Sequence, residues 1–176
     1  MARNIEIKAR VDDPAALLDR ARAIADSGPV LILQDDTFFH CPSGRLKLRM
    51  LSEDDGQLIH YRRPDASGPK ESRYSIVPTS APGLLRDVLA QAFGIRGRVR
   101  KRRLLFITGN TRIHLDDVEG LGAYVELEVV LDDGADAAQG IAVARGLMER
   151  LAIRDANLVD RAYVDLLSDR TAPPDR

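Results

Sequence analysis

The sequence predicts an α+β fold in which about eight antiparallel strands form a curved or closed sheet with a charged interior and helices packed outside. Three observations predict it. Run after run alternates charged with apolar residues at the two-residue period of a half-buried strand. Most runs are joined by short turns rich in Gly, Asp and Asn, which favours antiparallel pairing. The polar faces collect both signs of charge, while several amphipathic helices remain to cover the apolar faces.

Taken in order, residues 4–11 set Ile5, Ile7, Ala9 and Val11 against Glu6, Lys8 and Arg10, the pattern of a first strand. Asp13 before Pro14 then starts a helix with the stripe Leu17, Leu18, Ala21, Ile24 and Ala25, ended by Ser27-Gly28-Pro29. Residues 30–41 form a strand that Gln34, Asp35 and Asp36 are expected to interrupt. After the turn Pro42-Ser43-Gly44, residues 45–50 place Arg45, Lys47 and Arg49 on one face and Leu46, Leu48 and Met50 on the other. Glu53 to Gly56 turns the chain back into 57–63, with Ile59, Tyr61 and Arg63 in phase. A polar loop, a strand over 72–77 and a helix carrying Leu84, Leu85, Val88, Leu89 and Phe93 follow, and Gly94 closes the helix.

The most basic stretch, 96–108, reads as a strand with Lys101 and Arg103 facing one way and Arg100 and Arg102 the other. Gly109-Asn110 leads into a hairpin over 112–131, whose polar face carries Arg112, His114, Asp116, Tyr124, Glu126 and Glu128. Asp116, Glu126 and Glu128 crowded on one face repel unless a cation sits among them. One more helix holds Ile141, Val143, Ala144, Leu147, Met148 and Leu151, and a short last helix is expected to carry Leu158, Val159, Tyr163, Val164, Leu166 and Leu167. Residues 1–170 make a single domain, and 171–176 a frayed tail.

At 176 residues, 44% hydrophobic and 30% charged, the composition is that of an ordinary globular chain with enough length to bury a core. The lone Cys41 excludes an internal disulfide framework, so a reducing cytoplasm is expected. With neither a long apolar run nor a signal-peptide pattern, no membrane partner is expected. A net charge of −1 argues against a broad nucleic-acid surface, and the β-rich run after Arg103 argues against a free basic arm. His114 shares a face with Asp116 and is expected as a hydrogen-bonding partner rather than a catalytic group. Cys41 has no defined base beside it and reads as packing. The terminal helices offer a surface for a homodimer, although no discrete signal demands one.

If the polar faces of these strands line one interior, Glu6, Lys8, Arg45, Lys47, Arg49, Arg63, Lys101, Arg103, Asp116, Glu126 and Glu128 share it. Such an interior is stable only when its charges are paired or filled by water and ligand. Both signs in one cavity suit a polyanion with a divalent metal: Arg and Lys grip phosphate oxygens, and carboxylates hold Mg2+ or Mn2+.

These residues resemble the CYTH superfamily, named for class IV adenylate cyclases and thiamine triphosphatases. Its first-strand ExExK motif corresponds to Asn4, Glu6 and Lys8. The resemblance continues in family order through Gly44-Arg-Leu-Lys-Leu-Arg49, Tyr61-Arg-Arg63, Lys101-x-Arg103, Leu115-Asp116 and Glu126-Leu-Glu128, across nearly the whole chain. It implies an eight-stranded antiparallel barrel, a triphosphate tunnel. Glu6, Asp116, Glu126 and Glu128 would then be metal-site carboxylates for Mg2+ or Mn2+, and Lys8, Arg45, Lys47, Arg49, Arg63, Lys101 and Arg103 would bind phosphates. Arg10, Lys70 and Arg112 are less supported additions. The departure is Asn4, an amide where the family has its first Glu, which removes a negative charge and weakens any second metal site.

The leading expectation is therefore a metal-dependent triphosphatase with a small-molecule triphosphate as partner. The alternatives are a class IV adenylate cyclase making cyclic AMP and pyrophosphate, a non-catalytic triphosphate or polyphosphate module, and, with less support, a nucleic-acid binder using Arg96 to Arg103.

Overall fold

The computed structural model describes residues 2–171. Eight strands, β1 (Ala2–Arg10), β2 (Ser27–Phe39), β3 (Arg45–Met50), β4 (Gly56–Arg62), β5 (Lys70–Thr79), β6 (Ile95–Thr108), β7 (Thr111–Val118) and β8 (Gly122–Leu131), close into one barrel. Two meanders build it, β2 to β5 and β6 to β8. β2 pairs with β6, and β1 closes the ring between β5 and β8, every pairing antiparallel. Closure gives each strand two neighbours, although residues 30–34 of β2 pair only with β6 and residues 75–79 of β5 only with β4.

The apolar faces point outwards, where helices cover much of them. α1 (Pro14–Ile24) and α3 (Ala137–Leu151) bring Leu17, Ala21, Leu147, Met148 and Leu151 onto Ile7, Ala9, Phe106, Ile113, Val125 and Leu127. α2 (Pro82–Phe93) covers Phe39 and Leu48 with Leu89. Each large aliphatic side chain so buried contributes about 1.5–3 kcal/mol. Asp13 and Asp136 cap α1 and α3 by accepting from the N–H groups of Ala16 and Ala138.

α3 lies close to the barrel because Gly140 has no side chain. A Cβ there would sit 2.7 Å from Cγ1 of Ile5 and 2.8 Å from Cδ2 of Leu131. Gly140→Val is expected to cost about 1–3 kcal/mol through overpacking, read as a lower urea midpoint. An unchanged midpoint would show that α3 lifts off at no cost.

The structure departs from the sequence reading at three places. β2 runs without interruption, because Ile32, Gln34, Asp36 and Phe38 face the bore and their polarity suits a polar interior. Residues 27–29 belong to its start rather than to the end of α1. Leu158 and Val159 are extended, not helical: Leu158 bridges Ala9, and the Val159 N–H donates to the carbonyl of Lys8 at 2.8 Å.

The last helix, α4 (Tyr163–Thr171), does not cover the outer face. It caps one end of the bore, where Ala162, Tyr163 and Val164 pack on the inward-facing Phe38, Val99, Val118 and Tyr124. Asp165 fixes this cap. Its carboxylate accepts from the Ala162 N–H at 3.2 Å, Arg45 at 3.1 Å and Arg96 at 2.5 Å, which joins the helix start to β3 and β6. Thr171 ends α4, and the rest of the expected tail, 172–176, lies outside the described residues. Among the described residues no helix is long and apolar enough to cross a membrane.

Candidate functional site

The bore holds a cavity of about 390 Å3, within the range of small-ligand pockets. Strand register decides what meets there. Glu126 on β8 lies opposite Lys8 on β1 and His114 on β7, while Glu128 lies opposite Glu6 and Arg112. On the far wall Asp36 lies opposite Arg49, and Phe38 opposite Lys47. The two-residue pleat then carries all these side chains inwards together.

Of the sequence-predicted residues, Glu6, Lys8, Lys47, Arg49, Arg63, Lys101, Arg103, Glu126 and Glu128 line the cavity, with Arg112 and Asn4. Arg63 does so from just beyond the end of β4. Arg45 and Asp116 are placed differently. Arg45 lies at the capped end, where it binds Asp65 at 2.8 Å and Asp165 at 3.1 Å. Asp116 is fully enclosed behind the lining. Its two oxygens accept two bonds of 2.6 Å from Arg103, one of 3.2 Å from Lys101 and one of 2.9 Å from the Tyr163 hydroxyl. Lys70 donates to backbone carbonyls at the capped end, and Arg10 is exposed.

Every lining cation has a carboxylate or an aromatic face. Lys8 is 3.1 Å from Glu126 and 3.6 Å above the Tyr163 ring. Arg103 also reaches Glu126, Arg63 donates to Glu6 at 2.6 Å, and Arg112 donates to Glu128 at 3.1 Å. Lys47 and Arg49 share Asp36, at 2.7 and 2.9 Å. Asp36 was missed as a site residue in sequence. The absence of Gly and Pro from 32–38, between the strand-like residues 30–33 and 37–39, was the signal available. Tyr163, also missed as a lining residue, carried none, because its place depends on how α4 caps the bore.

The electrostatics separate the carboxylates. Burial pushes Glu126 up, but Lys8, Lys101 and Arg103 together hold it well below the ordinary range. Burial pushes Glu128 up too, but His114, in the acid range where it is protonated, and Arg103 bring it down. Glu6 moves up, because burial outweighs Arg63 and Glu128 and Glu126 add repulsion. A divalent ion beside Glu6, Glu126 and Glu128 would relieve that repulsion. Their oxygens are suitable hard donors, and Asn4 Oδ1 is buried without a hydrogen-bond partner, so the donor set fits such an ion. His114, Glu126 and Glu128 place ligand atoms within 4.8 Å of one another. Burial and then Arg103 push the imidazole down to about 4, so it is uncharged near neutrality.

Burial also lowers Lys8 and Lys47 to about 8. Between about 8 and the ordinary 10.5 the unfolded chain binds more protons at these groups, so their contribution to ligand-free stability grows with pH. Phosphate affinity moves the other way, because the neutral amine loses its attraction. Inorganic triphosphate binding, measured by calorimetry with chelator present, is expected to weaken as pH rises through about 8, and Lys47→Arg to flatten the fall. An identical profile in the variant would remove Lys47 from the phosphate set.

Comparison with known proteins agrees with this fold. The CYTH domain profile matches residues 2–163. Adenylate cyclase CyaB of Aeromonas hydrophila is 26% identical over 171 residues, covering 90% of this chain and 85% of the relative. The PH1012 protein of Pyrococcus horikoshii superposes with a TM-score of 0.81 at 20% identity, over 93% of this chain and 98% of that one. HpAC1 of Hippeastrum, a candidate adenylyl cyclase with a dominant triphosphatase activity, superposes with a TM-score of 0.68 at 16% identity, over 97% and 98%. With the ring of eight strands and a profile match over nearly the whole length, the chain belongs to the CYTH domain family, whose members handle triphosphates and generally use divalent metals.

Proposed function

We propose that this protein is a divalent-metal-dependent triphosphatase that cleaves a phosphoanhydride bond of a small-molecule triphosphate held in the bore. One observation carries the reading: six cations, Lys8, Lys47, Arg49, Arg63, Lys101 and Arg103, line the same cavity as Glu6, Glu126 and Glu128. In the ligand-free chain these cations are held by internal carboxylates, which keeps them oriented before substrate arrives. Each ammonium has three donors, so Lys47 retains capacity for phosphate oxygens after binding Asp36.

Triphosphate oxygens would be gripped by Lys47 and Arg49 on one wall and by Lys8, Lys101 and Arg103 on the other. Such gripping aligns the phosphate chain and stabilises charge as the leaving phosphate departs. Asp116 acts behind them as a positioning residue, since Arg103, Lys101 and Tyr163 all end on it. A metal ion bound by Glu6, Glu126 and Glu128 would neutralise phosphate charge. Water attacks the terminal phosphorus, the bridging P–O bond breaks, and orthophosphate leaves separately from the shortened chain.

Cyclisation of ATP is the second reading. Ile32, Leu51, Tyr74 and Ile76 also line the cavity, and they offer an apolar surface to a nucleoside. Product analysis separates the two. The protein is incubated with ATP or inorganic triphosphate, each with Mg2+, Mn2+ or chelator. Orthophosphate without cyclic AMP supports hydrolysis, cyclic AMP with pyrophosphate supports the second reading, and tight binding of both substrates without product would overturn catalysis.

A further inference from the structure

We propose that His114 is a nitrogen ligand of the divalent ion held by Glu126 and Glu128, so that this chain selects a first-row transition ion such as Mn2+ over Mg2+. The inference rests on the metal-dependent reading above.

The geometry of one wall carries it. His114 is 3% exposed on β7, opposite Glu126 in the register with β8. Its ring and the carboxylates of Glu126 and Glu128 place one ligand atom each within 4.8 Å of one another, a spacing that a single ion can span. Nδ1 is buried and has no hydrogen-bond partner. A histidine kept for structure commonly fixes its tautomer by donating to a carbonyl or carboxylate. Here the facing carboxylate oxygen, Oε1 of Glu128, is 3.7 Å away, too far for such a bond. Glu128 meanwhile gives Oε2 to Arg112, which leaves Oε1 turned towards the imidazole.

An ion between Nδ1, Oε1 of Glu128 and the carboxylate of Glu126 would satisfy the unpartnered nitrogen and relieve the repulsion between the two glutamates. The choice of ion follows from ligand chemistry. Mg2+ demands a near-ideal, largely hydrated oxygen shell, whereas Mn2+, although it also takes oxygen donors, accepts an imidazole nitrogen among them more readily. Asn4 strengthens the bias: its neutral amide stands in the bore where a carboxylate would add the negative charge that a hard ion favours.

The test is pulsed electron paramagnetic resonance of the Mn2+-loaded wild-type protein, with Mn2+ and Mg2+ affinities measured by calorimetry. A nitrogen coupling to Mn2+ is expected, lost in His114→Gln. The variant is expected to bind Mn2+ about tenfold or more weakly while Mg2+ affinity changes far less. Mn2+ binding that depends on Glu126, shown by Glu126→Gln, but without nitrogen coupling would overturn the role of His114 and leave the carboxylate site standing. Mn2+ binding indifferent to Glu126→Gln, or no Mn2+ binding, would overturn the metal site and this inference together. The wild-type spectrum decides the ligand even if His114→Gln does not fold.

Discussion

Glu126→Gln is expected to lower metal-dependent triphosphate turnover by about 10^2- to 10^3-fold while the barrel stays folded. Glu126 is the residue on which most of the site converges. It lies opposite both Lys8 and His114, binds Lys8 at 3.1 Å and accepts from Arg103. Those cations keep it ionised despite burial. The amide preserves the side chain's shape but removes the charge a divalent ion needs, and it leaves Lys8 and Arg103 less well held. Arg103 retains its two bonds to Asp116, which is why the fold is expected to survive. Phosphate release assays on protein with an unchanged circular dichroism spectrum provide the measurement. Wild-type turnover in Glu126→Gln, with the same result for Glu128→Gln, would remove both carboxylates from the site.

Most of this architecture was legible because an inverted barrel writes both faces into each strand. Glu6 and Lys8, Lys47 and Arg49, Lys101 and Arg103, and Glu126 and Glu128 each occupy alternate positions, so their shared face follows from the pleat alone. What the pleat cannot supply is the partner on the neighbouring strand or on a distant helix. Asp36 looked like a break in a strand because polarity in a strand core ordinarily signals a loop; only the β2–β3 register shows that it meets Arg49. Asp116 and Glu126 looked equivalent on one polar face. Their separation depends on α4, whose Tyr163 reaches into the bore to Asp116, a contact 47 residues apart in sequence. The position of Arg45 depends in the same way on Asp165 of the capping helix.

Asp36→Asn is expected to destabilise the ligand-free protein by about 3–5 kcal/mol, and inorganic triphosphate to restore much of that loss. Asp36 is almost fully buried and accepts one bond from Lys47 and two from Arg49, at 2.7, 2.9 and 3.1 Å. Burial opposes its ionisation, yet Arg49 and Lys47 outweigh burial and hold its carboxyl far below the ordinary value of 3.8. A depressed carboxylate contributes its stability above the unfolded value and loses it only as pH falls below that value towards the folded one, so the contribution is complete at neutral pH. The neutral amide removes the charge while two nearly enclosed cations remain. A triphosphate supplies negative oxygens to the same two side chains, so in this reading Asp36 occupies the electrostatic place of the ligand until it arrives. Two measurements follow. Thermal unfolding without ligand should show a lower midpoint in the variant, and the upward shift on adding triphosphate should be larger than in wild type. A variant with wild-type stability would mean that Lys47 and Arg49 are compensated by water. A destabilised variant with no extra triphosphate shift would mean that the ligand's charge does not reach this wall of the bore.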